Sequence, residues 1–236
     1  MSSPPDKQIR VALRALADAS IATQSRRFFK TAEGEYGAGD QFLGIRVPEL
    51  RRIAREFRDA SLREVGGFLR SRWHEERLFA VILLTEQYAR GDAALQEAIH
   101  RLYCDNLRFI NNWDIVDASA PRIVGPHLEK RDRSQLHIWA KSSDLWERRI
   151  AIMATFHFIR GNDFADTLTL AEMLLHDPED LIHKAVGWML REIGNRDRAV
   201  EEAFLQRHAA DMPRTMLRYA VEKFPERKRS AWLARR

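Results

Sequence analysis

The chain has 236 residues, enough for one large domain or two small ones with a sizeable buried core. Eleven glycines and eight prolines, about two-thirds of average usage, count against a turn-rich sandwich, a disordered chain and a glycine-looped nucleotide fold. The net charge of +5 is carried mostly by arginine, whose planar fork suits phosphate, and an excess of this size admits a polyanionic partner without requiring one. From the N-terminus, MSSPPDKQIR lacks the apolar core of a signal peptide. Residues 1–46 read as N-terminal helices and a turn segment packed on the later helices, with EGEYGAGDQFLG (33–44) as the turn and Phe42 and Ile45 docking onto the first helices. Beyond them apolar residues recur at three- and four-residue spacing, and no segment alternates long enough for a strand. A helix is predicted over 47–58 with Pro48 in its first turn, and Ser61 with Glu64 makes a capping box for the next. Helices over 74–90, 145–160 and 178–193 end at Gly91, Gly161 and Gly194, each glycine predicted as a left-handed cap. Pro213 and Pro225 open the last two. The longest apolar run, FAVILL, is too short to span a bilayer, and the single cysteine, Cys104, excludes a disulfide framework or a Cys-cluster metal site. A soluble protein of the reducing cytoplasm is expected.

The second helices of successive pairs share a pattern. EERLFAVILL, WERRIAIMAT, DLIHKAVGWML and TMLRYAVEKF each place a basic residue just before an apolar run: Arg77, Arg149, Lys184 and Arg218. The last three stand 35 and 34 residues apart, and the first gap of 72 is two periods with its midpoint on NNWDIVD (111–117). Such a period in helical pairs predicts an all-α fold, a curved α-solenoid of HEAT-like antiparallel pairs forming a single repeat domain over 1–236. In that arrangement the four basic residues form a ladder along a concave groove, able to follow a phosphate backbone. The competing reading lays each aliphatic stem along apolar surface with its charge in water or on a nearby carboxylate.

The middle repeat offers Asn111, Asn112, Trp113 and Asp114 where the others carry a basic side chain. Trp113 and Asp117 are i and i+4, so they share a helix face, an indole beside a carboxylate. One reading is structural: Asp117 pairs with Arg148 or Arg149, and Trp113 fills the core. The other is chemical. A carboxylate and an aromatic face together stabilise a cation, and a purine alkylated on a ring nitrogen is one. Breaking its glycosidic bond builds further positive charge on the sugar, the problem that glycoside hydrolases solve with Asp or Glu. Trp188, in HKAVGWMLRE, offers a second indole. The eight histidines show no HExxH or other metal-ligand spacing, and no GxxxxGK[ST] or GxGxxG occurs.

FLGIRVPELRRIA (42–54), NNWDIVD (111–117), WERRIAI (146–152), LIHKAVGWMLREIG (181–194) and PRTMLRYAVEK (213–223) together resemble the AlkD-type DNA alkylation-repair glycosylases, in order and over nearly the whole chain. The resemblance implies HEAT-like repeats that hold duplex DNA on a concave surface. It further implies excision of cationic N3- and N7-alkylated purines, such as 3-methyladenine and 7-methylguanine, in base excision repair without metal or cofactor. By this resemblance Asp117, the second acid of WDxVD, is the catalytic carboxylate, stabilising the sugar cation and positioning the attacking water. Trp113 and Trp188 contact the sugar and lesion side. The arginine of W-x-R-R is a DNA contact, assigned to Arg149 with Arg148 as the alternative. The family acts with the base left stacked, so selectivity rests on the lability of the cationic base, where most glycosylases flip it out. A monomeric, monofunctional glycosylase acting on alkylated duplex DNA is expected. The rival reading is a non-catalytic HEAT-like scaffold binding damaged or branched DNA or a protein partner through the same groove.

Overall fold

The structure, a computed structural model, describes residues 5–234. The first four residues of the N-terminal stretch and the last two arginines of the chain lie outside the described residues. Helix is the only regular secondary structure within them, apart from one isolated bridge between Gln41 and Trp73. The chain divides into two compact units, 1–123 and 124–236.

The first unit holds α1 (Pro5–Arg14), α2 (Ala19–Phe28), α3 (Val47–Glu56), α4 (Leu62–Leu69), α5 (His74–Arg90), α6 (Ala93–Cys104) and α7 (Trp113–Ser119). At its centre α5 carries an unbroken apolar stretch, Leu78 to Leu84, with no side that could face water, and all seven residues are buried. It packs on α3 before it and α7 after it, while α4 covers another side. Phe68 and Phe79 meet edge-on at 5.5 Å in this core; truncating such a buried phenylalanine costs about 3–5 kcal/mol. The Ser61–Glu64 capping box forms as expected at the start of α4.

The second unit holds α8 (Val124–Leu128), α9 (Ser134–Trp139), α10 (Leu145–Ala154), α11 (Phe156–Arg160), α12 (Ala165–Met173), α13 (Asp180–Gly194), α14 (Arg198–His208), α15 (Arg214–Ala220) and α16 (Glu226–Leu233). Here α13 packs on α10 before it and α15 after it, with α12 and α14 as further neighbours. Within each unit the motif-bearing helices therefore stack on one another, α3 to α5 to α7 and α10 to α13 to α15. That nearest-neighbour stacking of helix pairs is the all-α solenoid arrangement.

Two expectations about helix ends are corrected. The helix expected over 145–160 is interrupted at Thr155, whose buried hydroxyl donates to the Ile152 carbonyl and competes with the regular ladder. None of the three predicted left-handed glycine caps occurs, because Gly91 has φ −76°, Gly194 lies inside α13, and after α11 the left-handed residue is Asn162. Gly91 and Gly194 are instead sites of close approach: a Cβ on Gly91 would lie 2.9 Å from the Gln87 carbonyl oxygen, and one on Gly194 would overlap the Glu201 carboxylate. Of the left-handed glycines, Gly34, Gly39 and Gly44, the last, at φ +81°, is also one of close approach, since a Cβ there would lie 2.0 Å from the Asp18 carbonyl oxygen.

Candidate active site

The head of α5 reads His74-Glu75-Glu76-Arg77, and none of the four is more than 3% exposed. Each of the four charges is met by an opposite charge or by backbone groups, mostly from the chain that precedes α5, as burial of charge demands. The Glu75 carboxylate accepts from the backbone N–H groups of Leu43 at 2.8 Å, Gly44 at 2.7 Å and Ile45 at 3.3 Å. This explains the FLGI motif structurally, since it is a backbone segment wrapped around a carboxylate. Glu76 pairs with Arg10 and, at 3.2 Å, with Arg14.

His74 sits between two carboxylates, Nδ1 3.1 Å from Asp40 and Nε2 2.8 Å from Asp114. Burial opposes charge on the ring, but Asp114 and Asp40 outweigh it and raise its pKa to about 9, so both ring nitrogens carry protons at neutral pH. Burial likewise works against the Asp40 carboxylate. His74 and Arg77 overcome that and hold its pKa below the ordinary value. Arg77 reaches Asp40 through Nη2 and donates from Nη1 to the Ser71 carbonyl at 3.0 Å.

This network fixes the start of α7. Asn112 caps it, with Oδ1 accepting from the Trp113 N–H at 2.9 Å and Nδ2 donating to Asp40 at 3.2 Å, while Asp114 is tied to His74. An aromatic layer holds the indole: Phe42 stacks on His74 at 4.6 Å, Phe29 on Phe42 at 5.2 Å, and Trp113 on Phe29 at 5.3 Å. Phe28 meets Trp113 edge-on at 5.8 Å and remains 64% exposed. Trp113 and Asp117 stand one turn apart on α7, both half-buried, as the i, i+4 spacing predicts. The Asp117 charge also reaches Tyr103. Burial first, then the nearby Cys104 and Asp117, push the phenol pKa far up, keeping its hydroxyl protonated against Ser119 Oγ at 3.0 Å.

In the second unit, Arg148 and Arg149 lie on α10, Lys184 and Trp188 on α13, and Arg218 on α15. Arg148 pairs with Asp177, Nε to Oδ2 at 2.6 Å, and donates from Nη1 to the Ser142 and Ser143 carbonyls at 3.0 Å. Arg149 is 4% exposed and donates to the Leu181 carbonyl of the next motif-bearing helix. Lys184 and Trp188 are i and i+4 on α13; Lys184 pairs with Asp180 at 2.8 Å, and the Trp188 indole donates to Glu192 at 2.9 Å beside Phe156. The glycine of the KAxGW motif is explained by α15, because a Cβ on Gly187 would lie 2.4 Å from the Met216 carbonyl oxygen.

The proposed ladder is corrected at its first rung. Arg77 is buried in its ion pair with Asp40, with its side chain 4% exposed, so it is not a surface cation in this structure. Its structural counterpart is Arg148. Both arginines reach back six residues to a serine carbonyl, Ser71 and Ser142, and both pair with a buried aspartate. The register that aligned Arg77 with Arg149 was off by one. Of the remaining positions, Arg218 is exposed and makes no ion pair among the described residues, Lys184 is half-exposed, and Arg149 is buried.

Reading the sequence alone missed Asp40, His74 and Asp114 as a unit. The signal present was HEER itself, four consecutive charged or polar residues leading straight into the apolar run LFAVILL, which must be matched from elsewhere if the helix is central. No group of three or more His, Cys, Asp or Glu among the described residues is placed to hold a metal, and no described helix is long and apolar enough to cross a membrane.

Stacked helix pairs with an indole and a carboxylate on one helix define a helical-repeat protein with a candidate site for cationic chemistry. Over residues 9–224 the sequence matches the family described as DNA alkylation repair enzyme, and the chain belongs to that family. Its role therefore lies in the repair of alkylated DNA. Among solved structures it is similar in fold to one described as a predicted DNA alkylation repair enzyme from Enterococcus faecalis, with TM-score 0.70 and 16% identity, covering 89% of this chain and 97% of that one. No curated protein matches the chain.

Proposed function

We propose that the protein is a monofunctional DNA glycosylase that hydrolyses the N-glycosidic bond of cationic N3- and N7-alkylated purines in duplex DNA, acting as a cytoplasmic monomer. The observation that carries the reading is the pairing of Trp113 and Asp117 on one face of α7, whose start is fixed by the Asp40–His74–Asp114 network. As the bond to a cationic base breaks, positive charge moves onto the sugar. A fixed carboxylate lowers the energy of that charge and can orient the water that attacks it, and an indole face adds its quadrupole. By family resemblance Asp117 supplies the carboxylate, Trp113 and Trp188 the aromatic faces and Arg149 a DNA contact, while the repeat spacing alone adds Lys184 and Arg218 as contacts to the DNA backbone. Arg148 is held by Asp177 and Arg149 donates to the Leu181 carbonyl, so the choice of Arg149 rests on the resemblance.

The test is release of free base from a duplex carrying N7-methylguanine. Wild type is expected to release it above the spontaneous rate, and Asp117→Asn to lose at least a hundredfold of that rate, in line with the loss of one electrostatic stabiliser, about 10²–10³. No release by wild type would leave the non-catalytic scaffold as the reading. Equal release by the variant would remove Asp117 from the mechanism.

A further inference from the structure

Beside the His74 network, in the first unit, lies a cleft of about 340 Å³ bounded by the turn carrying Gly39 and Asp40, the connection from α4 to α5, and the segment leading into α7. Its lining carries three positive side chains, Arg70, Arg72 and Arg77, against the single carboxylate of Asp40. That carboxylate is already matched by His74 and Arg77. No carboxylate pairs with Arg70 or Arg72 among the described residues. Arg70 makes a hydrogen bond to Asn106 Oδ1 at 3.2 Å, and the Arg72 guanidinium lies 5.1 Å over the Trp73 ring. Both arginines are exposed.

Two lining residues hold buried polar atoms without a hydrogen-bond partner: Nε of Arg77, whose side chain is 96% buried, and Oδ1 of Asn111. Elsewhere at the head of α5 every buried charge is matched, so an orphaned guanidinium N–H beneath two unpaired arginines marks half of a recognition site. The missing half is an anion with several acceptor oxygens. Guanidinium forks fit a phosphoryl group, and the Asn111 amide can turn its NH₂ toward such an oxygen.

We propose that this cleft takes one phosphodiester of the DNA backbone, gripped by Arg70 and Arg72 with Arg77 behind them. The inference rests on the reading above that the substrate is duplex DNA. It commits to a backbone phosphate because Asp40, in the cleft wall, also anchors Asn112 and, through His74, Asp114 on either side of Trp113. The cleft and the proposed reacting face thus share one rigid support.

The experiment measures binding of an unmodified duplex to the full chain across a salt series, for wild type, Arg72→Ala, Arg70→Ala/Arg72→Ala, Arg70→Lys/Arg72→Lys, and Arg101→Ala as a charge control exposed on α6. The double alanine variant is expected to lower the slope of log affinity against log salt by about one unit, the double lysine variant to keep most of the slope, and Arg101→Ala to leave it unchanged. Circular dichroism checks folding. Should loss of the Asn106 contact unfold the double variant, Arg72→Ala alone carries the test and is expected to lower both slope and affinity. An unchanged slope in folded variants, or an equal drop in Arg101→Ala, would overturn the proposal. So would saturable binding of inorganic phosphate that the variants lose while their duplex slope stays at the wild-type value, since that marks a free-phosphate site. Because the duplex is undamaged, a wild type that binds it with the expected slope but releases no N7-methylguanine sinks the glycosylase reading and leaves this one standing.

Discussion

His74 is the residue on which the first unit's charge network turns, and its ionisation sets a pH dependence. Its folded pKa of about 9 lies above the unfolded value near 6.5. The stabilisation is therefore fully present below pH 6.5 and lost as pH rises through 9, a difference on the order of 3 kcal/mol. Urea unfolding midpoints are expected to fall between pH 6.5 and 9.5 in wild type and to stay flatter in His74→Gln. Parallel curves for the two proteins would show that the ring is not charged in the folded state. This network was not legible in the sequence, because its bonds join residues 34, 40 and 72 positions apart and no local period links them. The Trp113–Asp117 pair was legible because its geometry is purely helical, four residues on one turn.

Among the elements, α10 shows how a repeat can be right in period and wrong in register. The spacing of about thirty-five residues located the motif-bearing helices, and these are the ones that stack within each unit. It did not say which of two adjacent arginines repeats the role of Arg77. That depends on the six-residue reach to a serine carbonyl, a bond that hydrophobic periodicity does not report. Removing Arg148 strands Asp177, whose side chain is 4% exposed, so Arg148→Ala is expected to lower unfolding free energy by about 3–5 kcal/mol in chemical denaturation. Loss of duplex affinity in that variant with stability intact would reverse the roles assigned to Arg148 and Arg149. On α13, Gly187→Ala is expected to cost about 1–3 kcal/mol, since a methyl group would press on the Met216 carbonyl and the α15 backbone must give way. An unchanged melting temperature would show that α15 yields without penalty.

For the molecule as a whole, the modest +5 charge matters through where the cations stand. Lys184 pairs with Asp180, but both are exposed enough for a phosphate to compete, so Lys184→Ala is expected to weaken all duplexes alike and lower the salt slope by about one unit. A slope equal to wild type would remove Lys184 from the DNA surface. The buried polar head of α5 has a consequence at this scale too. A stack of similar helix pairs has an open apolar end on which a second chain could continue the stack. Here the residues before α3 are tied to the stack through the head of α5: the Leu43–Ile45 backbone on Glu75, two arginines on Glu76, and Asp40 on His74 and Arg77. A chain shortened to begin at α3 would strand the Glu75 and Glu76 carboxylates at the head of α5 and leave His74 only Asp114 and Arg77 only the Ser71 carbonyl. The N-terminal segment thus neutralises the charges at the head of α5 and at the same time brings Phe28, Phe29 and Phe42 against Trp113 and His74.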